Sequence, residues 1–259
     1  MKLQLVAAGT GKRWVKLGVQ TFLRQPLAFC GLFFMFMAVM SVLSLVPYLG
    51  NVLALMLLPG ATLGLMVATQ EASKGKFPMP LVLISAFRAG RERVRAMLVL
   101  GILYAIGFLL VLAVSALADG GKFAHLSLVG APMTAELLQA EDFQLATLVS
   151  MALYLPLSLL FWHAPALVHW YGVTPVKSLF FSFVACMRNF WAFTVFGLVW
   201  MAVFLGVGIV MATLAALGGG PDLVAAVVFP STMLVAAMFF TSLYFTFQDC
   251  FQSDEPPAP

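Results

Sequence analysis

Residues 88–118 read Arg88-Ala-Gly-Arg-Glu-Arg-Val-Arg95 and then, without a break, Ala96-Met-Leu-Val-Leu-Gly-Ile-Leu-Tyr-Ala-Ile-Gly-Phe-Leu-Leu-Val-Leu-Ala-Val-Ser-Ala-Leu-Ala118. A block of arginines abuts a long run that carries no charge. About 20 apolar residues, rising roughly 1.5 Å each, cross the hydrocarbon core of a bilayer, so 96–118 predicts a transmembrane helix. The arginines mark the end at which it leaves the lipid.

Five more stretches pass the same test, at 27–46, 52–68, 143–170, 190–217 and 223–247, and 52–68 is the shortest. Gly, Pro or charged residues separate them. The 259 residues are 63% hydrophobic and 9% charged, whereas an ordinary soluble domain is about 25% charged. Too few polar side chains remain to cover a water-soluble globule, while a bilayer tolerates apolar surfaces. The expected fold is all-α: a polytopic membrane helical bundle of six transmembrane helices. Residues 1–252 are expected to form a single transmembrane domain, and the acidic, Pro-rich 253–259 a disordered cytoplasmic tail.

The net charge of +4 and the pI near 9.1 do not indicate nucleic acid. That reading needs basic residues clustered on a polar folded face, and here the cations flank apolar runs. Cys30, Cys186 and Cys250 lack the spacing of a disulfide framework or a zinc knuckle and read as packing residues. The first apolar run exceeds a signal-peptide core and has no small-residue cleavage pattern after it, so it is expected to remain as a helix.

Orientation follows from the cations, because short positively charged loops stay in the cytoplasm. Lys2, Lys12, Arg13, Lys16 and Arg24 precede the first span; Lys74, Lys76, Arg88, Arg91, Arg93 and Arg95 lie between the second and third; Lys177 and Arg188 lie between the fourth and fifth. Of the 14 basic residues only Lys122 falls on the other side, which holds Asp119, Glu136, Glu141, Asp142 and Asp222. Both termini are therefore expected in the cytoplasm. In the long outer loop, 119–142, the stretch beginning Pro132-Met-Thr-Ala-Glu reads as a short helix with Pro in its first turn.

Each odd-numbered span is preceded by an amphipathic segment. On a wheel of 100° per residue, Lys12, Arg13, Lys16 and Arg24 oppose Trp14, Val15, Val19 and Phe22. Leu83, Phe87 and Val94 oppose Arg88, Arg91, Glu92 and Arg95. Val176, Leu179, Phe180, Phe183, Val184 and Met187 oppose Lys177, Ser178, Ser182 and Arg188. Each is expected as an interfacial helix at the cytoplasmic surface. Pro59, Pro156 and Pro230 fall in the even-numbered spans and none in the odd. Together these periods suggest a threefold parallel repeat, with units at 10–70, 80–171 and 174–250.

No Asp, Glu, Lys or Arg lies deep within a predicted span, which argues against a proton-driven transporter. His163 and His169 invite a metal, but six helical residues rotate by about 600° and leave the rings roughly 120° apart. They read as interfacial anchors beside Trp162, Trp170 and Tyr171, and His125 as an isolated loop residue. Gly60-Ala-Thr-Leu-Gly64 has the small-residue spacing of close helix approach, and Gly206 and Gly208 read the same way. Arg88, Arg91, Arg93 and Arg95 either hold lipid phosphates or act as a topological stop. No phosphate loop or nucleophile elbow is present, so no catalytic residue, metal or cofactor is expected.

The stretch Trp162-His-Ala-Pro-Ala-Leu-Val168, followed by Gly172-Val-Thr-Pro-Val-Lys-Ser-Leu-Phe-Phe-Ser182 and Arg188-Asn189, resembles a bacterial superfamily of six-span membrane proteins. That group includes the YciC-like proteins and the membrane domain of some glycerophosphodiester phosphodiesterases. Trp14-Val-Lys-Leu-Gly18 and Arg24-Gln-Pro-Leu27 look more narrowly like an uncharacterised proteobacterial family. The resemblance implies the inner membrane and brings no catalytic residues; no phosphodiesterase domain accompanies it here. The expected protein is non-enzymatic and lipid-interacting, a structural or accessory component with membrane lipids as partners. The alternative is a transporter or channel for a neutral or amphiphilic solute.

Overall fold

The computed structural model describes residues 1–130, 133–216 and 221–252; Pro132, Leu217 and the tail 253–259 lie outside the described residues, as does the side chain of Asp222. In chain order come β1 (Lys2–Leu3), α1 (Thr10–Arg24), α2 (Pro26–Ser44), α3 (Leu49–Ser73), a 3-10 helix (Pro80–Phe87) and α4 (Arg91–Asp119). Then follow α5 (Lys122–Val129), α6 (Ala135–Gln139), α7 (Glu141–Phe161), α8 (Ala164–Tyr171), α9 (Pro175–Arg188), α10 (Phe190–Ala216), α11 (Pro221–Cys250) and β2 (Phe251–Gln252). Among the described residues six helices are long and apolar enough to cross a membrane: α2, α3, α4, α7 continued by α8, α10, and α11 from Ala226. The chain is thus the expected all-α polytopic bundle. Pro59, Pro156 and Pro230 sit inside α3, α7 and α11, where each lacks the N–H that an interior helical residue would donate.

Contacts divide the chain into two compact units, one of Met1–Phe36, Gly64–Leu83 and the chain from Ala185 onward, the other of Met37–Leu63 and Ile84–Val184. The first is organised around α1, which packs on α10 and α11. Two glycines permit this. A Cβ on Gly11 would collide with the backbone carbonyl of Ala192, and one on Gly18 would stand 2.7 Å from Ser242 Cα. Between them Trp14 is 0% exposed, with its ring 5.1 Å from Phe193 and 6.0 Å from Phe196. Its indole N–H donates to Asp249 Oδ2 at 2.9 Å, and Arg13 reaches the other carboxylate oxygen at 4.0 Å. The face of α1 expected to lie on lipid is therefore covered by protein, because Gly11, Trp14, Gly18 and Phe22 fit a groove between helices.

The termini are fastened in the same unit. β1 pairs antiparallel with β2, Lys2 opposite Gln252 and Leu3 opposite Phe251. Asn189, buried between α9 and α10, accepts from Val6 N–H at 2.8 Å through Oδ1. Its Nδ2 donates to Gln4 O at 3.0 Å and Ala185 O at 3.1 Å. One amide thus satisfies backbone groups that a sheet of only two residues per strand leaves unpaired.

The second unit is built on α4 against α7. Gly107 lies under Leu157, and a Cβ on Gly101 would collide with the carbonyl of Met56 in α3. Tyr104 meets Phe161 edge-on at 5.0 Å, and its hydroxyl lies 3.3 Å from that of Tyr154. At the far end of α4 the chain reverses through Gly120 and Gly121, at φ 67° and 92°. There Asp119 accepts from Gly121 N–H at 2.8 Å and Phe123 N–H at 2.6 Å, capping α5. The stretch 119–142 therefore holds two short helices where one is expected. The second of them begins at Ala135, with Thr134 as its N-cap.

The segment before α4 is a 3-10 helix. Its Leu83 backbone approaches Gly64, while Ala86 and Phe87 lie over Gly60, so the small-residue pair of α3 packs within the chain. Among the described residues nothing lies within 4 Å of where a Cβ on Gly206 or Gly208 would stand, so no seam forms there.

Truncation of Trp14 to alanine is expected to cost about 3–5 kcal/mol, read as a lower thermal unfolding midpoint of the detergent-purified chain. Trp191→Ala, at a site 70% exposed, should leave that midpoint in place. Asn189→Leu is expected to keep the spans assembled but speed amide hydrogen exchange at Val6, whose N–H loses its acceptor, by roughly tenfold, about the worth of one hydrogen bond; unchanged exchange would contradict the role given to Asn189.

Candidate functional site

The arginines cluster where the 3-10 helix hands over to α4. Gly90, at φ 92°, turns the chain and stands at the N-cap of α4 with no side-chain cap. Arg88, Arg91, Arg93 and Arg95 are all exposed, and none forms an ion pair with a carboxylate among the described residues. Arg91 and Arg95 are four apart and share a face of α4, whereas Arg93 points about 160° away from Arg91 at 100° per residue. There α8 packs on α4, bringing His169 within electrostatic range of Arg93.

This arrangement is electrostatically unfavourable on its own. A helix N-terminus carries roughly half a positive charge and unsatisfied N–H groups, so it favours anions and disfavours further cations. Three arginines in the first two turns of α4, with only Glu92 to offset them, make a concentrated positive field. A phosphate group answers both the guanidinium forks and the free amides.

Bulky apolar residues of two other segments face outward. On α9, Ser178, Ser182 and Ala185 are fully buried while Val176 is 72% and Phe180 62% exposed. Ser182 explains the inversion: its hydroxyl donates to Leu159 O at 2.7 Å and accepts from His163 N–H at 2.9 Å. Small and hydroxyl-bearing residues allow close packing between membrane helices, which leaves the bulky residues for lipid. Phe77, Met79, Leu81 and Ile84, in and before the 3-10 helix, are likewise exposed.

Other sequence candidates do not assemble into chemistry. His163 is buried at the break between α7 and α8, and His169 lies in α8. Among the described residues no group of three potential metal ligands occurs. Cys186 and Cys250 are brought close together and buried, a proximity that their separation of 64 positions concealed. Burial, and secondarily the neighbouring Cys250, pushes the Cys186 thiol up, so it stays protonated and unreactive at neutral pH. Sequence reasoning met Asn189 only as part of a motif and passed over Asp249, whose one signal was position, a polar residue at the end of an apolar run.

Over its whole length the chain is 41% identical, across 262 aligned residues, to a Burkholderia thailandensis protein named "Probable inner membrane protein", and the match covers 97% of that protein. No family model matches the chain, and no solved structure matches it. Identity of that extent along the whole of both chains, together with six spanning helices, decides kinship: the chain belongs with the Burkholderia thailandensis protein to one family of multi-pass inner-membrane proteins.

Proposed function

We propose that this protein is a non-enzymatic component of the inner membrane, structural or accessory, that holds anionic lipid head groups at the arginine-bearing end of α4. The observation that carries the reading is the set Arg88, Arg91, Arg93 and Arg95, exposed and without carboxylate partners among the described residues. Cations followed along α4 by the exposed Leu98 and Val99 match the boundary between head groups and acyl chains. With 13 of the 14 basic residues on one side of the predicted spans, that side is the cytoplasm, and both termini lie there. The chain repeats one unit three times, at 10–70, 80–171 and 174–250. In support, a short helix precedes a span and then a Pro-bearing span in α1-α2-α3, in 3-10-α4-α7 and in α9-α10-α11.

The competing reading, a transporter or channel for a neutral or amphiphilic solute, is favoured by the prolines inside α3, α7 and α11. Such interruptions serve hinges in transporters. Solute flux through reconstituted vesicles above that of empty vesicles would replace the lipid-holding reading with this one.

The test of the first reading compares the full chain in nanodiscs of phosphatidylcholine with nanodiscs containing phosphatidylglycerol. The thermal midpoint is expected to rise with the anionic lipid and to fall back in high salt. Replacing all four arginines by glutamine should remove most of that gain, at about 1 kcal/mol per arginine; Lys122→Gln, at the other end of α4, should keep it. Equal midpoints in both lipids would end the proposal.

A further inference from the structure

At the end of α4 opposite the arginines, the second unit contains a cleft of about 230 Å³ between α2, α3, α4 and α5. Its walls are apolar, with Met40, Ala54, Leu58 and Phe108, and its polar groups are Asn51 and Ser127. The orientation of these two groups is fixed by the backbone. Asn51 Nδ2 donates to Leu128 O at 2.5 Å, which leaves Oδ1 with no hydrogen-bond partner among the described residues. Ser127 donates its hydroxyl proton to Phe123 O at 2.8 Å, which leaves its lone pairs. Both polar groups therefore present acceptors.

The dimensions fit a chain. From Asn51 at one end to Leu58 beside Pro59 is seven helical residues, or roughly 10 Å. The cleft of about 230 Å³ is far larger than the roughly 10–15 Å³ that one water needs, and a stretch of acyl chain can lie along that length. An apolar slot of this length, opening among membrane-spanning helices, is filled most readily by the acyl chains that surround it. No cation lines the cleft, so it does not select for a phosphate. Its two acceptors select for a head group that brings donors.

We infer that this cleft binds one acyl chain of a phospholipid whose head group donates a hydrogen bond to Asn51 Oδ1, through either an ammonium N–H or a glycerol hydroxyl. This site is separate from the arginine site and does not depend on it. A lipid without head-group donors, such as phosphatidylcholine, fills the slot but leaves the acceptor unanswered.

The full chain, purified in mild detergent and supplied with phosphatidylethanolamine, phosphatidylglycerol or phosphatidylcholine, tests this by native mass spectrometry of retained lipid. Retention of one phosphatidylethanolamine or phosphatidylglycerol is expected to exceed that of phosphatidylcholine by roughly tenfold, the worth of one hydrogen bond. Which of the two is retained separates the ammonium from the hydroxyl. Asn51→Leu should erase the preference, and Ala54→Phe, which fills the slot, should lose the lipid. Leu148→Phe, on the exposed surface of α7, should behave as the unmodified chain. Replacing all four arginines by glutamine should also keep this lipid, so the two sites fail or stand separately. Equal retention of all three lipids, or a preference that survives Asn51→Leu in a folded variant, overturns the inference.

Discussion

Helix α1 reaches α10 and α11 only because Gly11 and Gly18 present bare backbone to them. Much of the first unit depends on that closeness. It places Trp14 among Phe193 and Phe196 and sets its indole against Asp249. It also leads the chain before α1 to the Asn189 amide and to β2. Lipid offers no hydrophobic driving force for one apolar helix to prefer another over acyl chains, so association rests on dispersion contacts and hydrogen bonds. The glycines bring the backbones close enough for both. The same logic recurs in the second unit, where Gly101 and Gly107 admit α3 and α7 to α4.

The spans were legible because their signal is solvent-driven: 96–118 has no charge, and a bilayer makes backbone hydrogen bonding within a helix obligatory. The helix seen there, Arg91–Asp119, runs past both ends of that stretch. Helix ends are set by local caps such as Gly90 and the reversal at Gly120, which hydropathy does not register. The amphipathic pattern of α1 was equally plain, yet a helical wheel states only that one face is apolar. Whether protein or lipid covers that face depends on groove shape, and here Gly11, Trp14 and Gly18 decide for protein. α9 went the other way, its serines turned inward and Val176 and Phe180 outward.

The arginine cluster was legible as a block and not as a geometry. Four cations in eight residues are visible in any reading; that Arg91 and Arg95 share a face while Arg93 turns toward α8 required the helix register. Asn51 and Ser127 were invisible as a pair, because 76 positions separate them and neither type is unusual near a span end. Their joint character as acceptors comes from two backbone carbonyls, Leu128 O and Phe123 O, which claim the available protons.

The antiparallel pairing of β1 with β2, together with the seat of α1 on α10 and α11, imposes an order on biogenesis. Residues 2–24 are made well before α10, α11 and β2, the elements they pack and pair against most. Through most of synthesis α1 must therefore wait with Trp14 uncovered, and the bilayer surface beside the translocon is where such a cationic, amphipathic helix can rest. Closure of the first unit thus becomes a late event that waits for α11 and β2. Before Asp249 and Phe251 are made, the Trp14 indole lacks its acceptor and β1 lacks its partner strand.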